Sequence, residues 1–288
     1  MRHNLVSLGS QRGEKNREKK NRLVAYNATM NIRMILERYK RGDIGVAEAE
    51  KALKLDFLER IGNHTVFDHA RDARRGIPEI ILGDSKEPDI LADIVEHVLQ
   101  ERNLVIISRA SQIHYEAVRQ HVGVKGVKWE EKASMVVVDK RKRIKRTGKI
   151  GILAAGTSDV SVAEEARIVA EVMGCHVEAA YDVGIAAYHR FMDPLASMLG
   201  KGCDALIVVA GMEGALPSVV SSLADVPVIG VPTSVGYGMG GEGVAALMSM
   251  LQTCSPGLVV VNIDNGVGAG ATAALISNRC RAGRKDNG

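Results

Sequence analysis

The chain has 288 residues, of which 46% are hydrophobic and 3% aromatic, so it can bury one large core or two smaller ones. Its formal charge of +4 is concentrated in two basic segments, residues 1–30 with +5 and residues 140–149 with +7. The remainder carries −8, which argues against a broad nucleic-acid-binding face. Because no apolar run approaches the roughly 20 residues that cross a bilayer, and no signal-peptide core is seen, we expect a cytoplasmic protein without a membrane partner.

The first part of the chain predicts a small α/β domain behind a basic extension. Residues 1–31 lack apolar periodicity and are interpreted as a flexible arm that catalysis does not need. Residues 32–139 predict the small domain, with helical spacing over residues 34–62, a strand in IPEIILG, a helix in DILADIVEHVLQER and strands in NLVIIS and SMVVVD. The basic residues 140–148 then predict an exposed linker.

A second domain is predicted over residues 149–278, followed by a flexible tail over residues 279–288. It contains five apolar runs, IGILAAG, HVEAAYDV, DALIVVAG, PVIGVP and LVVVNID, with helical stretches between them. Repeated strand-helix units form parallel sheets, which bind ligands at the carboxyl ends of their strands. Here those ends carry AGTSD, YDVG, AGMEG, VPTSVGYGMGGEG and NIDNGVGAG.

The loop after the first of these strands has the features of an anion site. The strand ends at Gly156, and Ser161 precedes Glu164 by three residues, the spacing of a capping box that would start a helix. Free N–H groups at such a helix start attract phosphate, and Thr157 and Ser158 add hydroxyl donors. The alternative is an ordinary well-capped turn.

A GxGxxG pattern occurs at Gly236, Gly238 and Gly241, but it follows the fourth strand of the domain, whereas a dinucleotide fingerprint opens the first strand-helix turn. We interpret it as a mobile loop whose glycines let backbone approach a ligand. The cysteines show neither CxxC pairing nor metal-ligand spacing, so no disulfide framework and no metal site are expected.

Several long motifs carry family resemblances. AGTSD, AGMEGALPSVVSSLADVPVIGVP and GVAALMSMLQTCSPGLVV, within residues 149–275, resemble the aminoimidazole ribonucleotide carboxylase/mutase family of purine synthesis. The chain departs from that family at YDVGIAAYHRF, where the family has a Ser-Ala-His-Arg motif. A longer resemblance over residues 32–278 adds DHARDARRGIPEIILGDSK, DVGIAAYHR and CSPGLVVVNIDNGVGAG, and is to the LarB family of pyridinium-3,5-biscarboxylic acid mononucleotide synthases.

The LarB resemblance implies a fold: a flavodoxin-like, three-layer α/β/α parallel sheet of the PurE-like type, with a small N-terminal α/β domain. It implies carboxylation of the pyridinium ring of nicotinic acid adenine dinucleotide with CO₂ or bicarbonate, and hydrolysis of the phosphoanhydride to release AMP. This is the first step of nickel-pincer nucleotide cofactor synthesis. Two other functions stay open, a purine-pathway carboxylase/mutase and a non-catalytic nucleotide sensor.

The same resemblance bears on cofactors and partners. No tightly bound cofactor is expected, and Mg²⁺ is left open. A homo-oligomer is expected, with an octamer favoured, and Gly/Ala-rich segments would permit close packing between subunits.

Candidate catalytic residues follow from the chemistry that the resemblance implies. An electron-poor pyridinium ring attacks carbon dioxide only after a nucleophile such as a thiolate has added to it. Cys254, where the resembled family places its nucleophile, is the candidate, and burial as a small hydrophobe is its alternative. Glu213 is the candidate base, and Asp159 is the third catalytic candidate.

The substrate-binding candidates lie at the predicted strand ends. Asp182 is expected to orient His189 or Arg190, which would bind a phosphate or carboxylate unless they form a surface pair. Asp264 and Asn265 would contact a ligand or form a turn. The full set is Gly156, Thr157, Ser158, Asp182, His189, Arg190, Gly211, Met212, Gly214, Asp264 and Asn265.

Overall fold

The computed structural model describes residues 32–49, 58–61, 65–68, 77–78, 80–142 and 144–283. The chain divides into two compact units, residues 1–75 and residues 76–288. The predicted linker at residues 140–148 therefore lies inside the second unit. The predicted arm over residues 1–31 lies outside the described residues.

The described residues of the first unit form a first helix, a helical stretch at residues 46–49 and a two-stranded antiparallel sheet. Helix α1 spans Ile32–Arg41, and strands β1, Leu58–Ile61, and β2, Thr65–Asp68, pair antiparallel. The helical prediction for residues 34–62 is confirmed at α1 and at residues 46–49 but wrong at β1. The physical reason is long-range pairing: β1 pairs with β2 along its whole length, for example Glu59 with Phe67, and this pairing overrides the helical spacing.

The second unit begins with a four-stranded mixed sheet. Its strands lie in the order β3-β4-β6-β5, with β3 parallel to β4 and the other pairs antiparallel. The predicted strands β3, β4 and β6 and the helix α2 are confirmed, whereas α3 and β5 were not predicted. The elements are β3 Ile80–Leu82, α2 Pro88–Glu101, β4 Leu104–Ser108, α3 Gln112–Val122, β5 Val127–Glu130 and β6 Met135–Asp139.

The remainder of the second unit is built on a five-stranded parallel sheet in the order β11-β10-β9-β7-β8. The five predicted apolar runs supply its strands. Numbered within the domain, this is the flavodoxin order 2-1-3-4-5. The elements are β7 Gly148–Ala154, α4 Val160–Val172, β8 Cys175–Ala180, α5 His189–Gly200, β9 Ala205–Ala210, α6 Leu216–Leu223, β10 Val228–Pro232, α7 Val244–Leu251, β11 Leu258–Val260 and α8 Gly266–Gly283.

Helices cover both faces of this sheet. Helices α4 and α8 bury alanines such as Ala166 and Ala273 against one face, and α5, α6 and α7 bury larger side chains such as Phe191 against the other. The central strand β9 is buried along its whole length, as expected for a parallel strand covered on both sides. The predicted three-layer α/β/α fold is confirmed.

The four-stranded sheet packs on the outer side of α4 and α8. Its Ile106 and Met135 share a core with Ile168 of α4 and Ala271 of α8. This shared core joins the two sheets into the second compact unit. The loops at the ends of β4 and β6 are therefore fixed relative to α4.

The basic residues after β6 bind the end of α4. Arg141 donates to both carboxylate oxygens of Asp139, at 2.9 and 2.7 Å, and to the Val172 carbonyl at 3.1 Å. Arg146 lies 3.8 Å from the carboxylate of Glu171. Cations at a helix C-terminus complement its dipole, so these residues serve the packing of the unit.

Helix α8 continues five residues beyond the predicted domain end, and the prediction of a tail is wrong for residues 279–283. Arg281 explains the extension, because its Nε donates to the buried carboxylate of Asp204 at 3.1 Å. In the described part of the chain, no helix combines the length and the apolar character that crossing a bilayer requires.

Candidate functional site

Asp159 joins three loops at the carboxyl edge of the parallel sheet. Its carboxylate accepts from the Gly156 N–H at 2.8 Å, from the Thr233 hydroxyl at 2.6 Å, and from the Gly211 N–H. The loops after β7, β9 and β10 are thereby held together, beside the point where the strand order reverses. Burial raises the pKa of Asp159, and these donors oppose that shift. The contacts indicate that Asp159 positions the loops.

The loop after β7 starts its helix differently from the prediction. A 3₁₀ turn over Thr157–Asp159 leads directly into α4, which begins at Val160, so Ser161 already lies inside the helix and is exposed. The predicted capping box is wrong. Asp159 fastens the start of the turn instead, and its bond to Gly156 leaves Thr157 and Ser158 exposed on the loop.

Glu164, the expected second member of that capping box, binds other partners. Its carboxylate accepts from Arg167 at 2.9 and 2.8 Å and from the Tyr181 hydroxyl. These donors hold the pKa of Glu164 below its usual range, although burial acts in the opposite direction and is the largest single influence. Glu164 therefore ties α4 to the end of β8.

Glu213 stands on a tight turn between β9 and α6. Gly211 and Gly214 are required there, because a Cβ would lie 2.3 Å from the Val235 carbonyl oxygen at the first and 2.7 Å from Ala246 backbone at the second. Met212 between them has a left-handed φ of 50° and is anchored by its N–H to the Val235 carbonyl at 2.8 Å. The turn presents Glu213 to solvent at the carboxyl edge.

Asp182 and Arg190 form an ion pair after β8. Arg190 donates to the Asp182 carboxylate at 2.7 Å, and both side chains are exposed. Asp182 has a left-handed φ of 59°. His189, the first residue of α5, is also exposed and packs its ring edge-on to Tyr188. The expected orientation of Arg190 by Asp182 is present as a contact.

Asp264 and Asn265 have different positions in the turn after β11. Asn265 accepts from the Gly268 N–H at 2.8 Å and so caps the start of α8. Asp264 has a left-handed φ of 56° and accepts from the Ser234 N–H at 2.8 Å. Asn265 therefore forms the turn, whereas Asp264 faces the neighbouring loop.

A cavity of about 470 Å³ opens beside the phosphate-loop candidate Ser158 and beside Ser161 of α4. Glu165 of α4 and Asp264 also line it. Two further lining residues flank strands of the four-stranded sheet, namely Arg109 after β4 and Ser134 before β6. Sequence reasoning missed Arg109, Ser134 and Glu165. Arg109 had a detectable signal, since it directly follows a predicted strand, whereas the cavity position of Ser134 depends on packing between the two sheets.

Glu165 has an unusual environment. Burial raises its pKa to about 7, an effect that Asp264 reinforces and that Arg109 and the Val267 N–H oppose. Close helix packing produces the burial, because Gly266 of α8 lies so near α4 that a Cβ would approach the Glu165 carboxylate to 3.0 Å. Within the described ranges, no group of three or more His, Cys, Asp or Glu side chains could hold a metal ion.

Two family models match this chain in succession. The LarB/PurE-like N-terminal domain matches residues 58–141, and AIR carboxylase matches residues 149–286. The chain belongs to the LarB family. An uncharacterised protein of Methanocaldococcus jannaschii is 41% identical over 251 residues, which are 86% of this chain and 97% of that protein.

Other relatives match less than half of this LarB-family chain. N5-carboxyaminoimidazole ribonucleotide mutases of Methanocaldococcus jannaschii and Thermotoga maritima are each 30% identical, over 48% and 44% of this chain. The matches cover 82% and 74% of those mutases. The C-terminal domain is therefore of the PurE-related carboxylase/mutase type.

The cysteines of this LarB-family chain fall into two groups. Cys175 and Cys203 are buried, and burial raises the pKa of each thiol to about 11. Cys254 and Cys280 are exposed. Within this chain Cys254 is therefore not buried, and the alternative that it packs as a small hydrophobic residue is wrong.

The structure does not bring Cys254 and Glu213 together within one chain. Cys254 lies between α7 and β11, at the amino edge of the sheet, where the neighbouring Gly257 pairs with the first residue of β10. Glu213 lies at the opposite, carboxyl edge. Strands rise about 3.3 Å per residue, so the two edges are separated by on the order of 15 Å.

Proposed function

We propose that this protein carboxylates the pyridinium ring of nicotinic acid adenine dinucleotide and hydrolyses its phosphoanhydride, giving pyridinium-3,5-biscarboxylic acid mononucleotide and AMP. The observation that carries the proposal is the LarB N-terminal match at residues 58–141, directly before a PurE-related domain. The aligned mutases cover at most 48% of this chain, so that N-terminal region sets it apart from them.

Cys254 supplies the nucleophile in this proposal. Its thiolate adds to the cationic ring, which becomes an uncharged dihydropyridine with a nucleophilic, enamine-like carbon. That carbon attacks carbon dioxide and forms the new carbon–carbon bond. A base then removes the proton from the same carbon, the electron pair restores the aromatic ring, and the thiolate leaves. The exposure of Cys254 supports this role, because a ring can reach its sulfur.

Glu213 is the base in this scheme. Its turn packs closely against the Val235 and Ala246 backbone, so the carboxylate can be held at a constant position relative to a bound ring. Asp159 acts as a positioning residue, since its contacts are with protein donors of three loops. Thr157 and Ser158 are available to a substrate phosphate, and the pair of Asp182 and Arg190 to an anionic group of the substrate.

The distance between Cys254 and Glu213 within one chain is a chemical reason to expect an oligomer. If both act on one ring, Cys254 comes from a second copy of the chain. Helix α7, which leads to Cys254, exposes Val244, Met248 and Leu251 at helical spacing, an apolar stripe that a second copy would cover. These observations support a homo-oligomer, and the octamer remains the expected form.

The decisive experiment supplies the purified protein with nicotinic acid adenine dinucleotide and labelled bicarbonate, with and without Mg²⁺. We expect ring-bound label and released AMP in equal amounts, and loss of label with Cys254→Ser although the variant still binds the dinucleotide. Cys280→Ser, which removes the other exposed thiol, is the matched control and should keep full activity.

Two results would contradict the proposal. Full label incorporation by Cys254→Ser would exclude the covalent route. Turnover of aminoimidazole ribonucleotide in place of the dinucleotide would assign the purine-pathway activity, which the mutase relatives favour as second candidate.

A further inference from the structure

The cavity beside Ser158 is larger than a phosphate site needs. Its volume of about 470 Å³ falls within the range of small-molecule pockets. Of the phosphate-loop candidates, Ser158 lines the cavity and accounts for one part of its wall. The far wall is formed by Arg109 and Ser134, which flank strands β4 and β6 of the four-stranded sheet and lie outside the AIR carboxylase match.

The backbone of this far wall is fixed. Arg109 and Ser134 both have a left-handed φ of 49°, an uncommon conformation for residues other than glycine. The Ala110 N–H donates to the Ser134 carbonyl at 2.7 Å, and the Gly83 N–H donates to the Ser108 carbonyl at 2.8 Å. Strained residues held in this way concentrate at ligand sites, where the strain aims a side chain.

The Arg109 guanidinium is available to a ligand. Its ion pair with Asp84 has a distance of 3.6 Å, and both side chains are about half exposed. Such exposed pairs contribute little, so little is lost when the guanidinium turns toward a bound molecule. A guanidinium can donate to a phosphate or stack on the face of a nucleobase.

The remaining polar groups favour a nucleoside over a second phosphate. Glu165 and Asp264 bring carboxyl groups to the cavity beside a single cation, which disfavours a cluster of anionic oxygens. Ribose hydroxyls, in contrast, donate readily to carboxylates. Ser134, Ser158, Ser161 and Ser234 add hydroxyl groups that can donate or accept.

We propose that this cavity binds the AMP half of the dinucleotide, and that Arg109 and Ser134 make the site selective for the dinucleotide over nicotinic acid mononucleotide. The proposal rests on the proposed function, because it assumes a dinucleotide substrate. It gives the four-stranded sheet, which lies outside the AIR carboxylase match at residues 149–286, a direct contact with substrate through the residues beside its strands.

Calorimetric titration with AMP, nicotinic acid mononucleotide and the dinucleotide tests the assignment. Arg109→Asn removes the guanidinium but keeps a residue that tolerates a left-handed φ. We expect about tenfold weaker binding of AMP and of the dinucleotide. The affinity for nicotinic acid mononucleotide should stay within about twofold of the wild-type value. Arg119→Asn, on the exposed face of α3, is the matched control and should bind all three normally. Ser161→Phe, which fills the cavity from the opposite wall, should also weaken AMP binding.

The outcomes separate this assignment from the proposed function. Wild-type affinity of Arg109→Asn for AMP and the dinucleotide would overturn the assignment, as would absence of AMP binding by the wild type at millimolar concentration. Arg109-dependent AMP binding without any labelled product would support the cavity assignment and overturn the proposed carboxylation instead. Thermal melts of each variant confirm that the chain is folded during the titrations.

Discussion

Glu165 shows how packing between helices changes the chemistry of one carboxyl group. It faces the cavity from α4, and its pKa rises to about 7 because burial disfavours the charged form. Asp264 adds to this effect by repulsion, whereas Arg109 and the Val267 N–H favour ionisation. An unfolded chain lacks all four influences. Glu165 therefore couples folding to pH.

The sign of this coupling follows from the direction of the shift. Between the ordinary glutamate value near 4.5 and about 7, the folded protein binds the Glu165 proton more tightly than the unfolded chain does, so stability falls as pH rises through this window. We expect Glu165→Gln to raise the free energy of unfolding at pH 8 by on the order of 2 kcal/mol, and to change it little at pH 4.5. Urea unfolding at both pH values measures the difference.

The control for this prediction is Glu116→Gln, because Glu116 lies on the exposed surface of α3. Its stability should follow the wild type at both pH values. A gain of equal size at pH 4.5 and pH 8 for Glu165→Gln would contradict the argument, since it would show that the amide packs better irrespective of charge.

At the scale of elements, helices α4 and α8 depend on glycine for their close approach. A Cβ on Gly270 would lie 2.4 Å from the Ala166 carbonyl oxygen, and one on Gly266 would lie 2.2 Å from the Val162 carbonyl oxygen. The two glycines are one helical turn apart, so they form a single flat strip on α8. This strip of glycines lets α8 pack closely on α4 inside the chain.

Gly270→Ala should therefore separate the two helices and reduce the free energy of unfolding by about 2 kcal/mol or more. Gly200→Ala is the matched control in α5, since nothing lies within 4 Å of its added Cβ, and it should be neutral or stabilising by up to about 1 kcal/mol. Denaturant titration of both variants gives the comparison. Equal effects at the two positions would show that the contact strip does not limit stability.

The elements that could be predicted from sequence are those with strong local patterns. The run ALIVVA of β9 predicts a central parallel strand, because an entirely apolar strand needs both of its faces covered. Strand β5, with the sequence VKWE, is half-buried and has no comparable pattern. The capping box was misplaced because the carboxylate of Asp159, two residues before Ser161, binds the Gly156 N–H and fastens the loop there.

The candidate site was predictable only in part, for the same reason. Strand ends in a parallel sheet meet at one edge, so Ser158, Glu213 and Asp264 could be placed there from sequence. The contribution of Arg109 and Ser134 depends on how a second sheet packs on α4 and α8, through contacts between residues far apart in the chain. Their left-handed backbone also has no sequence signal, since neither residue is a glycine or an asparagine.

At the scale of the whole molecule, the candidate catalytic residues Cys254 and Glu213 lie at opposite edges of the parallel sheet, separated by the length of its strands. Helix α7 runs from the carboxyl edge, where Gly243 packs against the Thr233 carbonyl, to the amino edge, where Cys254 follows. Glu213 remains at the carboxyl edge. A single chain therefore cannot place the thiolate and the carboxylate on one pyridinium ring, and a closed symmetric oligomer can do so at every site.

Mixed oligomers test this arrangement directly. Neither Cys254→Ser nor Glu213→Gln should carboxylate alone, but a 1:1 mixture, co-expressed with two tags and purified through both, should regain about a quarter of wild-type activity. The reason is that random assembly gives some sites an intact glutamate from one subunit and an intact cysteine from its neighbour. The double variant Cys254→Ser/Glu213→Gln co-expressed with wild type controls for assembly and should also leave about a quarter of the sites intact. If each site used both residues of one chain, the first mixture would stay inactive, while the control mixture would keep about half of its sites.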